Sequence, residues 1–353
     1  MQLKKTHCWE IDPNQPLSDL LLKEEMHDAA QLLREGGLVA FPTETVYGLG
    51  ADATSSEAVK RIFLAKGRPS DNPLIIHFGE VHQIREWVQS IPPAGEQLLE
   101  AFVPGPLTLI LPHSGKIVPE VTAGLPTVGV RIPNHPVARA LLQLTGHPVA
   151  APSANRSGRP SPTEARHVWQ DLQGRIELLL DGGPTGVGVE STVVDVTGEY
   201  PILLRPGGVS LEDLQKVVPT IQVDLGLTES ASKPRSPGMK YRHYAPEATM
   251  WLVKGNPQNM VTQIQKLIEE SNLHGKKVGV LTTTENEDKY KSAAVVSAGS
   301  RKQPESVARN LFQALRQFDE LKVDVIYGET FPEEGIFFSV MNRLRKAADG
   351  KFC

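Results

Sequence analysis

Short apolar segments alternate with helix-like segments along most of this chain, and a stretch with neither pattern divides the alternation in two. Residues 228–239 are rich in Ser, Pro and Lys and have no apolar period, which is typical of a linker. Before this stretch, residues 38–41 and 148–151 have the pattern of buried strands, and residues 24–35 and 136–144 have that of helices. Strands and helices do not follow one another in strict β–α–β order, so the pattern predicts a twisted mixed sheet.

We therefore predict two folded regions of the α/β class joined by a linker. Residues 1–210 form one α/β unit, residues 211–249 form the linker, and residues 250–353 form a smaller domain. In the smaller domain β-like segments alternate with helical ones, which favours a Rossmann-like parallel sheet flanked by helices. No glycine fingerprint for a dinucleotide follows its first strand, and its sequence has no strong catalytic signature.

Composition argues against several classes of protein. The net charge is -4, with 37 Lys and Arg against 41 Asp and Glu, which disfavours a dedicated nucleic-acid binder with a basic face. Cys8 and Cys353 lie near opposite ends and form neither a disulfide framework nor a zinc-binding pair, as expected in a reducing cytoplasm. No apolar run approaches the roughly 18 residues of a membrane span, and the first residues lack the apolar core of a secretion signal. We therefore expect a cytoplasmic protein with no membrane partner.

The segment richest in chemically active side chains is residues 66–77 (KGRPSDNPLIIH). A helix-like segment runs into it and a strand-like segment follows it, while Gly67, Pro69 and Pro73 stop the helix from continuing. Arg68 offers a planar fork of donors that matches phosphate oxygens. A stiff loop of this kind suits the binding of a polyanion, although a solvated basic turn has the same composition.

Four further loops carry polar residues next to predicted strand ends, where α/β folds place ligands. They are residues 41–50 (FPTETVYGLG), 151–158 (APSANRSG), 181–192 (DGGPTGVGVEST) and 204–207 (LRPG). Each loop alone is also consistent with an ordinary capped turn or, for 204–207, with a surface arginine. None has the spacing of a phosphate-binding P-loop, so a nucleotide would have to be bound by another architecture.

Residues 236–246 (SPGMKYRHYAP) differ from the rest of the linker. Lys240, Arg242 and His243 lie there beside two tyrosines, a density of functional side chains that a plain spacer does not need. We predict that this segment is a mobile lid that closes over an anionic ligand.

Seven strings of this sequence occur in the order that is typical of one protein family. They are FPTETVYGLG at 41–50, KGRPSDNPL at 66–74, PGPLT at 104–108, PSAN at 152–155, EST at 190–192, RPG at 205–207 and SPGMKYRHYAP at 236–246. Together they closely resemble the threonylcarbamoyl-AMP synthase family in its long form, a YrdC-like catalytic domain followed by a Sua5 domain. The resemblance covers nearly the whole chain, and NRLRKA at 342–347 fits the end of the Sua5 domain.

The resemblance implies an enzyme of the nucleotidyltransferase class. Members make threonylcarbamoyl-adenylate and pyrophosphate from L-threonine, ATP and bicarbonate or CO2. The product would pass to the machinery that transfers the threonylcarbamoyl group to adenosine 37 of tRNA. Mg²⁺ is expected on the triphosphate, held mostly by phosphate oxygens and water, so we expect no metal ligands from the protein.

The motifs of the family also imply roles for individual residues of this chain. The residues expected around L-threonine are Thr45, His77, Arg131, Ala151 and Ser191. Those expected to contact ATP are Arg68, Asn72, Ser153, Asn155, Ser161, Arg205 and Ser236. Lys66 and Arg68 would be catalytic through the positive charge that they bring to the phosphates. Some short members have a further cation where this chain has Asn72, so the remaining charge would come from Arg205, from the predicted lid or from a metal.

Two alternatives stay open at the level of the sequence. One is an RNA-binding protein that uses the same concave surface, since the YrdC-like fold has been linked to double-stranded RNA, although the acidic balance favours only weak binding. The other is a carbamoyl-transfer enzyme of the hydrogenase-maturation type, which contains a related domain. Those proteins also have cysteine-rich zinc fingers, which two isolated cysteines cannot form.

Overall fold

The computed structural model describes residues 4–228 and 244–353, and the chain forms two compact units. Each unit collects residues from separated parts of the sequence. Of the described residues, the first unit contains 4–157, 162–186 and 190–228, and the second contains 158–161, 187–189 and 244–353. The domain boundaries at residues 210 and 250 stay a prediction.

The strands of the first unit form a mixed sheet. They are β1 (His7–Glu10), β2 (Val39–Phe41), β3 (Gly48–Asp52), β4 (Ile75–His77), β5 (Leu107–Pro112), β6 (Thr127–Arg131), β7 (Val149–Ala150), β8 (Leu178–Asp181), β9 (Thr192–Asp195), β10 (Ile202–Arg205) and β11 (Gln222–Val223). Their order across the sheet is β1-β8-β2-β3-β7-β4-β6-β5-β9-β10-β11. Strand β6 is parallel to β4 and antiparallel to β5, so the predicted mixed sheet is confirmed.

Amphipathic helices bury the sheet of the first unit. The helices are α1 (Leu17–Leu20), α2 (Glu24–Arg34), α3 (Ser56–Lys66), α4 (Val81–Ile84), α5 (Pro93–Phe102), α6 (Pro119–Thr122), α7 (Pro136–Thr145), α8 (Ala165–Leu172), α9 (Leu211–Val217) and α10 (Leu225–Thr228). Helix α2 buries Met26, Ala30 and Leu33, and α7 buries Val137 and Leu141, with the spacing of one helical face. These residues share a hydrophobic cluster with strand residues of β2 and β8.

The second unit contains a smaller, parallel sheet. Its strands are β12 (Thr249–Val253), β13 (Val278–Thr282), β14 (Ala294–Ser297) and β15 (Val325–Glu329), in the order β12-β15-β13-β14. Its helices are α11 (Pro257–Leu273), α12 (Pro304–Leu321) and α13 (Gly335–Ala347), with a 3₁₀ turn at Glu287–Lys289. All described strand pairs of this sheet are parallel, which confirms the predicted arrangement.

Strands β1 and β3 were not expected from the apolar pattern. Strand β3 pairs with β2 and β7 in the first sheet, yet its sequence, GLGAD, lacks the β-branched and aromatic residues that indicate a strand. Its glycines have a packing role, because a Cβ atom at Gly50 would lie only 2.9 Å from Val149 Cγ1. A central strand of small residues therefore allows its neighbours to approach closely.

No helix of the described chain is long and apolar enough to cross a membrane. Cys8 and Cys353 are free thiols on exposed residues. Desolvation by partial burial raises the pKa of both, so they remain protonated at neutral pH.

A buried carboxylate lies at the end of β15 in the second unit. Glu329 Oε1 accepts hydrogen bonds from Thr282 Oγ1 (2.6 Å), Asn286 Nδ2 (2.9 Å) and Tyr290 OH (2.6 Å). Its Oε2 pairs with Arg301 Nη2 at 2.5 Å. Burial, with the neighbouring charge of Glu329, raises the pKa of Tyr290, so this hydroxyl stays a donor. The carboxylate thus joins β13 and β15 to the loops that follow β13 and β14.

Glu329→Ala should destabilise the second unit by about 3–5 kcal/mol, because it leaves the Arg301 charge and three donors without their acceptor. As a control, Glu333→Ala removes a solvent-exposed pair with Arg345 and should cost less than about 1 kcal/mol. Chemical denaturation, combined with hydrogen exchange of β13 and β15, measures both changes. Equal effects of the two substitutions would contradict a special role of the buried carboxylate.

Candidate active site

Two of the predicted threonine-binding residues lie at the ends of neighbouring strands. His77 is the last residue of β4 and Arg131 the last residue of β6, and the parallel register pairs them directly. Both are buried, with 3% and 5% of their surfaces exposed. The apolar residues before them anchor each strand in the sheet, so the polar side chains are held by a rigid element.

The loop between β2 and β3 brings Thr45 to Arg131. Arg131 Nη2 donates to Thr45 Oγ1 and to Glu44 Oε1, at 2.8 Å in each case. The hydroxyl of Thr43 shapes this loop by accepting from the backbone N–H groups of Thr45 and Val46 at 3.2 and 3.3 Å. The capped turn, which the sequence analysis gave as one interpretation of residues 41–50, is therefore present at Thr43. The Glu44 side chain does not cap the turn but forms an ion pair with Arg131.

Hydrogen bonds join Glu44, Thr45 and Arg131, and His77 is paired with Arg131 in the sheet. We name these four residues the Arg131 group. Burial and the nearby Arg131 charge lower the pKa of His77 to about 3, so its ring is neutral at physiological pH. Within residues 4–228 and 244–353, three buried polar atoms of this group have no hydrogen-bond partner: Glu44 Oε2, His77 Nδ1 and Arg131 Nε. The group thus combines one positive charge, one negative charge and a neutral imidazole with unused hydrogen-bonding capacity.

A second set of predicted residues meets where β5, β9 and β10 adjoin. Ser191, just before β9, shares a 2.8 Å hydrogen bond with Thr108 of β5. Arg205, the last residue of β10, donates to the carbonyl oxygen of Ser191 from Nε at 3.1 Å and from Nη2 at 2.9 Å. Gly207 permits this approach, because a Cβ atom there would lie 2.2 Å from the backbone nitrogen of Thr192. A predicted threonine-side residue and a predicted ATP-side residue are therefore in direct contact.

Lys66 joins the end of α3 to residues 152–155. Gly67 ends the helix in the left-handed region, with φ of 62°. The Lys66 ammonium is buried and donates to the carbonyl oxygens of Ser153 and Asn155, the latter at 2.6 Å. Ser153 Oγ in turn donates to Asn155 Oδ1 at 2.5 Å. Three predicted site residues are thus brought together in one hydrogen-bonded cluster.

Arg68 and Asn72 lie in the loop that follows α3. Arg68 Nη2 is 3.3 Å from the carbonyl oxygens of Asn72 and Pro73, which folds the guanidinium back over its own loop. Asn72 is buried, and its Nδ2 has no hydrogen-bond partner among the described residues. The predicted helix–loop–strand arrangement is present, with Arg68 and Asn72 on the loop.

The remaining predicted residues have different surroundings. Ala151 directly follows β7, and its backbone N–H donates to the carbonyl oxygen of Ile75 in β4 at 2.9 Å. Ser161 is buried and belongs to the second unit. Ser236, together with the predicted lid up to residue 243, lies outside the described residues.

The described end of the predicted lid is anchored within the second unit. Tyr244 is buried, has a positive φ of 63° and stacks on Phe312, with ring centroids 5.1 Å apart. The backbone N–H of Ala245 donates to the carbonyl oxygen of Gly158 at 3.0 Å.

Glu44 and Thr108 contact predicted site residues, although the sequence analysis assigned no role to either of them. Both lie inside strings that the sequence singled out, but a glutamate in a turn and a threonine in a strand are common in purely structural positions. Arg131 is 87 residues from Glu44 along the chain, and Ser191 is 83 residues from Thr108. Only the order of strands in the sheet brings these partners together.

The side chains of these clusters suit small anionic and zwitterionic ligands. Guanidinium groups match carboxylate and phosphate oxygens, and the hydroxyl and amide groups can fix the orientation of a ligand. The described residues contain no group of three or more His, Cys, Asp and Glu side chains placed to hold a metal ion.

Comparison with known proteins agrees with the fold and the motifs. Residues 31–207 match the family model described as telomere recombination, and residues 209–349 match the model described as threonylcarbamoyl-AMP synthase, C-terminal domain. A Bacillus subtilis threonylcarbamoyl-AMP synthase is 51% identical over 348 residues, which cover 98% of this chain and 99% of that protein. The chain belongs to the threonylcarbamoyl-AMP synthase family.

Other members of the threonylcarbamoyl-AMP synthase family are also similar over nearly their whole length. A Pyrococcus abyssi threonylcarbamoyl-AMP synthase is 50% identical over 321 residues, covering 91% of this chain and 93% of that protein. The crystal structure of P. abyssi Sua5 complexed with L-threonine matches with a TM-score of 0.91 and 46% identity, covering 98% of both chains.

The buried His77 predicts how the stability of this family member depends on pH. The pKa of His77 is about 3 in the folded protein, against 6.5 for the free side chain, so only the unfolded chain takes up a proton between these values. The free energy of unfolding therefore decreases as the pH falls below 6.5, and the decrease is about 2 kcal/mol at pH 5. His77→Asn should reduce this loss, as urea unfolding between pH 7 and 5 measures.

His82→Asn is the control for this pH series. The side chain of His82 is 74% exposed, so this variant should lose stability with falling pH as the wild type does. An unchanged pH dependence in His77→Asn would contradict the assignment of the effect to His77.

Proposed function

We propose that this protein condenses L-threonine, bicarbonate or CO2, and ATP into threonylcarbamoyl-AMP and pyrophosphate. The amine of L-threonine first takes up CO2 to give a carbamate. A carbamate oxygen then attacks the α-phosphorus of ATP in line, and pyrophosphate leaves. Such a reaction depends on positioning and electrostatic stabilisation more than on a covalent protein nucleophile.

The Arg131 group is the observation that supports this proposal most directly. The Arg131 guanidinium matches the carboxylate of an amino acid, and the neutral His77 ring and the Thr45 hydroxyl can bond to its polar groups. P. abyssi Sua5, which is 46% identical to this chain, was crystallised in complex with L-threonine. We assign Ala151 and Ser191 to the same substrate.

We assign the ATP side of the reaction to the clusters around Arg68 and Arg205. The proposed ATP contacts are Arg68, Asn72, Ser153, Asn155, Ser161, Arg205 and Ser236. Arginine spreads the charge that builds up on phosphate oxygens, and the Lys66 ammonium would add positive charge at the end of α3. The triphosphate would carry Mg²⁺ on its own oxygens and on water.

A water-excluding lid is part of the proposal. N-carboxythreonine is unstable in water, so the site has to be closed while the carbamate exists. We propose that residues 236–246 close over the site and that Lys240 and Arg242 supply positive charge to the anionic ligands.

Partners and location follow from the proposed reaction. The product would be handed to the tRNA threonylcarbamoyl-transferase machinery, in the cytoplasm. The alternative is that the protein is an RNA-binding protein with weak affinity and not an enzyme. Salt-dependent RNA binding without ATP turnover would favour this alternative. Use of carbamoyl phosphate as a substrate would favour the hydrogenase-maturation type of reaction.

Pyrophosphate release tests the proposed reaction directly. The purified protein is incubated with ATP, and L-threonine and bicarbonate are each included or omitted. We expect release only when both are present, because the carbamate is the nucleophile. Release that is indifferent to L-threonine, or no release at all, would overturn the substrate assignment.

Arg68→Ala should lower the rate of pyrophosphate release about 100-fold, because one preorganised donor to the phosphates is lost. Arg85→Ala is the matched control, since Arg85 forms an exposed ion pair with Glu96 and is assigned no substrate. This control should keep the wild-type rate, and circular dichroism should show that both variants are folded. Normal turnover by Arg68→Ala would refute the phosphate role of Arg68.

A further inference from the structure

Only one of the two oxygen atoms of the Glu44 carboxylate has a hydrogen-bond partner among the described residues of the first unit. Its Oε1 accepts from Arg131 Nη2 at 2.8 Å. Its Oε2 is buried and has no hydrogen-bond partner within the described parts of the chain. Buried polar atoms in folded proteins are almost always hydrogen-bonded, so an unused carboxylate oxygen requires an explanation. A hydrogen-bond donor on a bound ligand would provide such an explanation.

A purely structural role for Glu44 explains this geometry less well. A carboxylate that serves only to hold an arginine commonly forms two parallel hydrogen bonds with the guanidinium. Here the single Nη2 of Arg131 is shared between Glu44 and Thr45, and Arg131 Nε remains unused. The pair thus leaves a negative oxygen and a positive N–H group available on adjacent side chains.

The charges of the Arg131 group complement those of a free amino acid. Arg131 contributes one positive charge and Glu44 one negative charge, while His77 is neutral because burial and Arg131 depress its pKa. L-threonine carries one carboxylate and one ammonium group. If the carboxylate bonds to Arg131, the acceptor for the ammonium group has to come from elsewhere in the group. Glu44 Oε2 is the unused anionic acceptor.

We propose that Glu44 Oε2 accepts a hydrogen bond from the amino group of L-threonine and so selects L-threonine over analogues that lack the amino group. The inference rests on the proposed use of L-threonine as a substrate. It makes Glu44 a substrate-binding residue in addition to those that the motifs imply. Holding one N–H of the amine also directs the nitrogen, which is the atom that forms the new bond to carbon.

Competitive binding to the full-length protein tests this role. The two ligands are L-threonine and (R)-3-hydroxybutanoate, which keeps the carboxylate and the hydroxyl and has hydrogen in place of the amino group. Glutamine has nearly the same shape as glutamate. Glu44→Gln should therefore lower the affinity for L-threonine about tenfold to hundredfold, which is the usual effect of losing a hydrogen bond to a charged group. The affinity for (R)-3-hydroxybutanoate should change less than threefold.

Glu96→Gln is the matched control, because Glu96 also pairs with an arginine, Arg85, but on the surface. It should leave both affinities unchanged. If Glu44 only holds Arg131, Glu44→Gln will weaken both ligands by the same factor, because both carry the carboxylate. That result, or unchanged affinity for L-threonine, would overturn the inference while leaving the proposed function intact.

Two further outcomes are decisive. If the wild-type protein binds no L-threonine, the proposed function fails and the inference fails with it. If Glu44→Gln does not fold, Glu44→Asp provides the same comparison, because it keeps the charge but has a shorter reach. A preference for L-threonine over (R)-3-hydroxybutanoate that is unchanged in Glu44→Asp would overturn the inference, and a reduced preference would support it.

Discussion

The buried ammonium group of Lys66 is the interaction on which the candidate active site depends most. It lies at the end of α3 and binds two backbone carbonyl oxygens of residues 152–155. A buried charge that lost these acceptors would carry a large desolvation cost, so the helix end and the loop cannot separate freely. The same loop is bridged to Gly48 at the start of β3 through Ser153. Lys66 therefore has a structural role, in addition to the charge that we propose it brings to the phosphates.

Two kinds of electrostatic environment follow from this framework. The Arg131 group contains balanced charges and a neutral imidazole, which suits a zwitterion. In the clusters around Arg68 and Arg205, the guanidinium groups donate to the backbone carbonyl oxygens of Asn72, Pro73 and Ser191. Such clusters suit a polyanion. The division between an amino acid side and a nucleotide side is thus consistent with the local charge balance.

Much of this arrangement could be predicted from the sequence, and the remainder depends on long-range pairing. Apolar runs predicted strands near His77 and Arg131, because burial on both faces leaves a continuous apolar pattern. The pattern could not reveal β3, in which Gly50 packs so closely against Val149 that a Cβ atom would not fit. Nor could it assign Glu44, because its partner comes from a strand that is distant in the sequence. The domain boundaries stay a prediction, since short loop segments group with the second unit.

The close approach at Gly207 affects how selection experiments on this protein should be interpreted. A Cβ atom at this position would overlap the backbone of residues 190–192, next to the serine that Arg205 holds. A library selected for activity would therefore return glycine at position 207 for a steric reason alone. Strong enrichment at that position would report on the fit of two backbone segments and would not identify a residue that touches substrate.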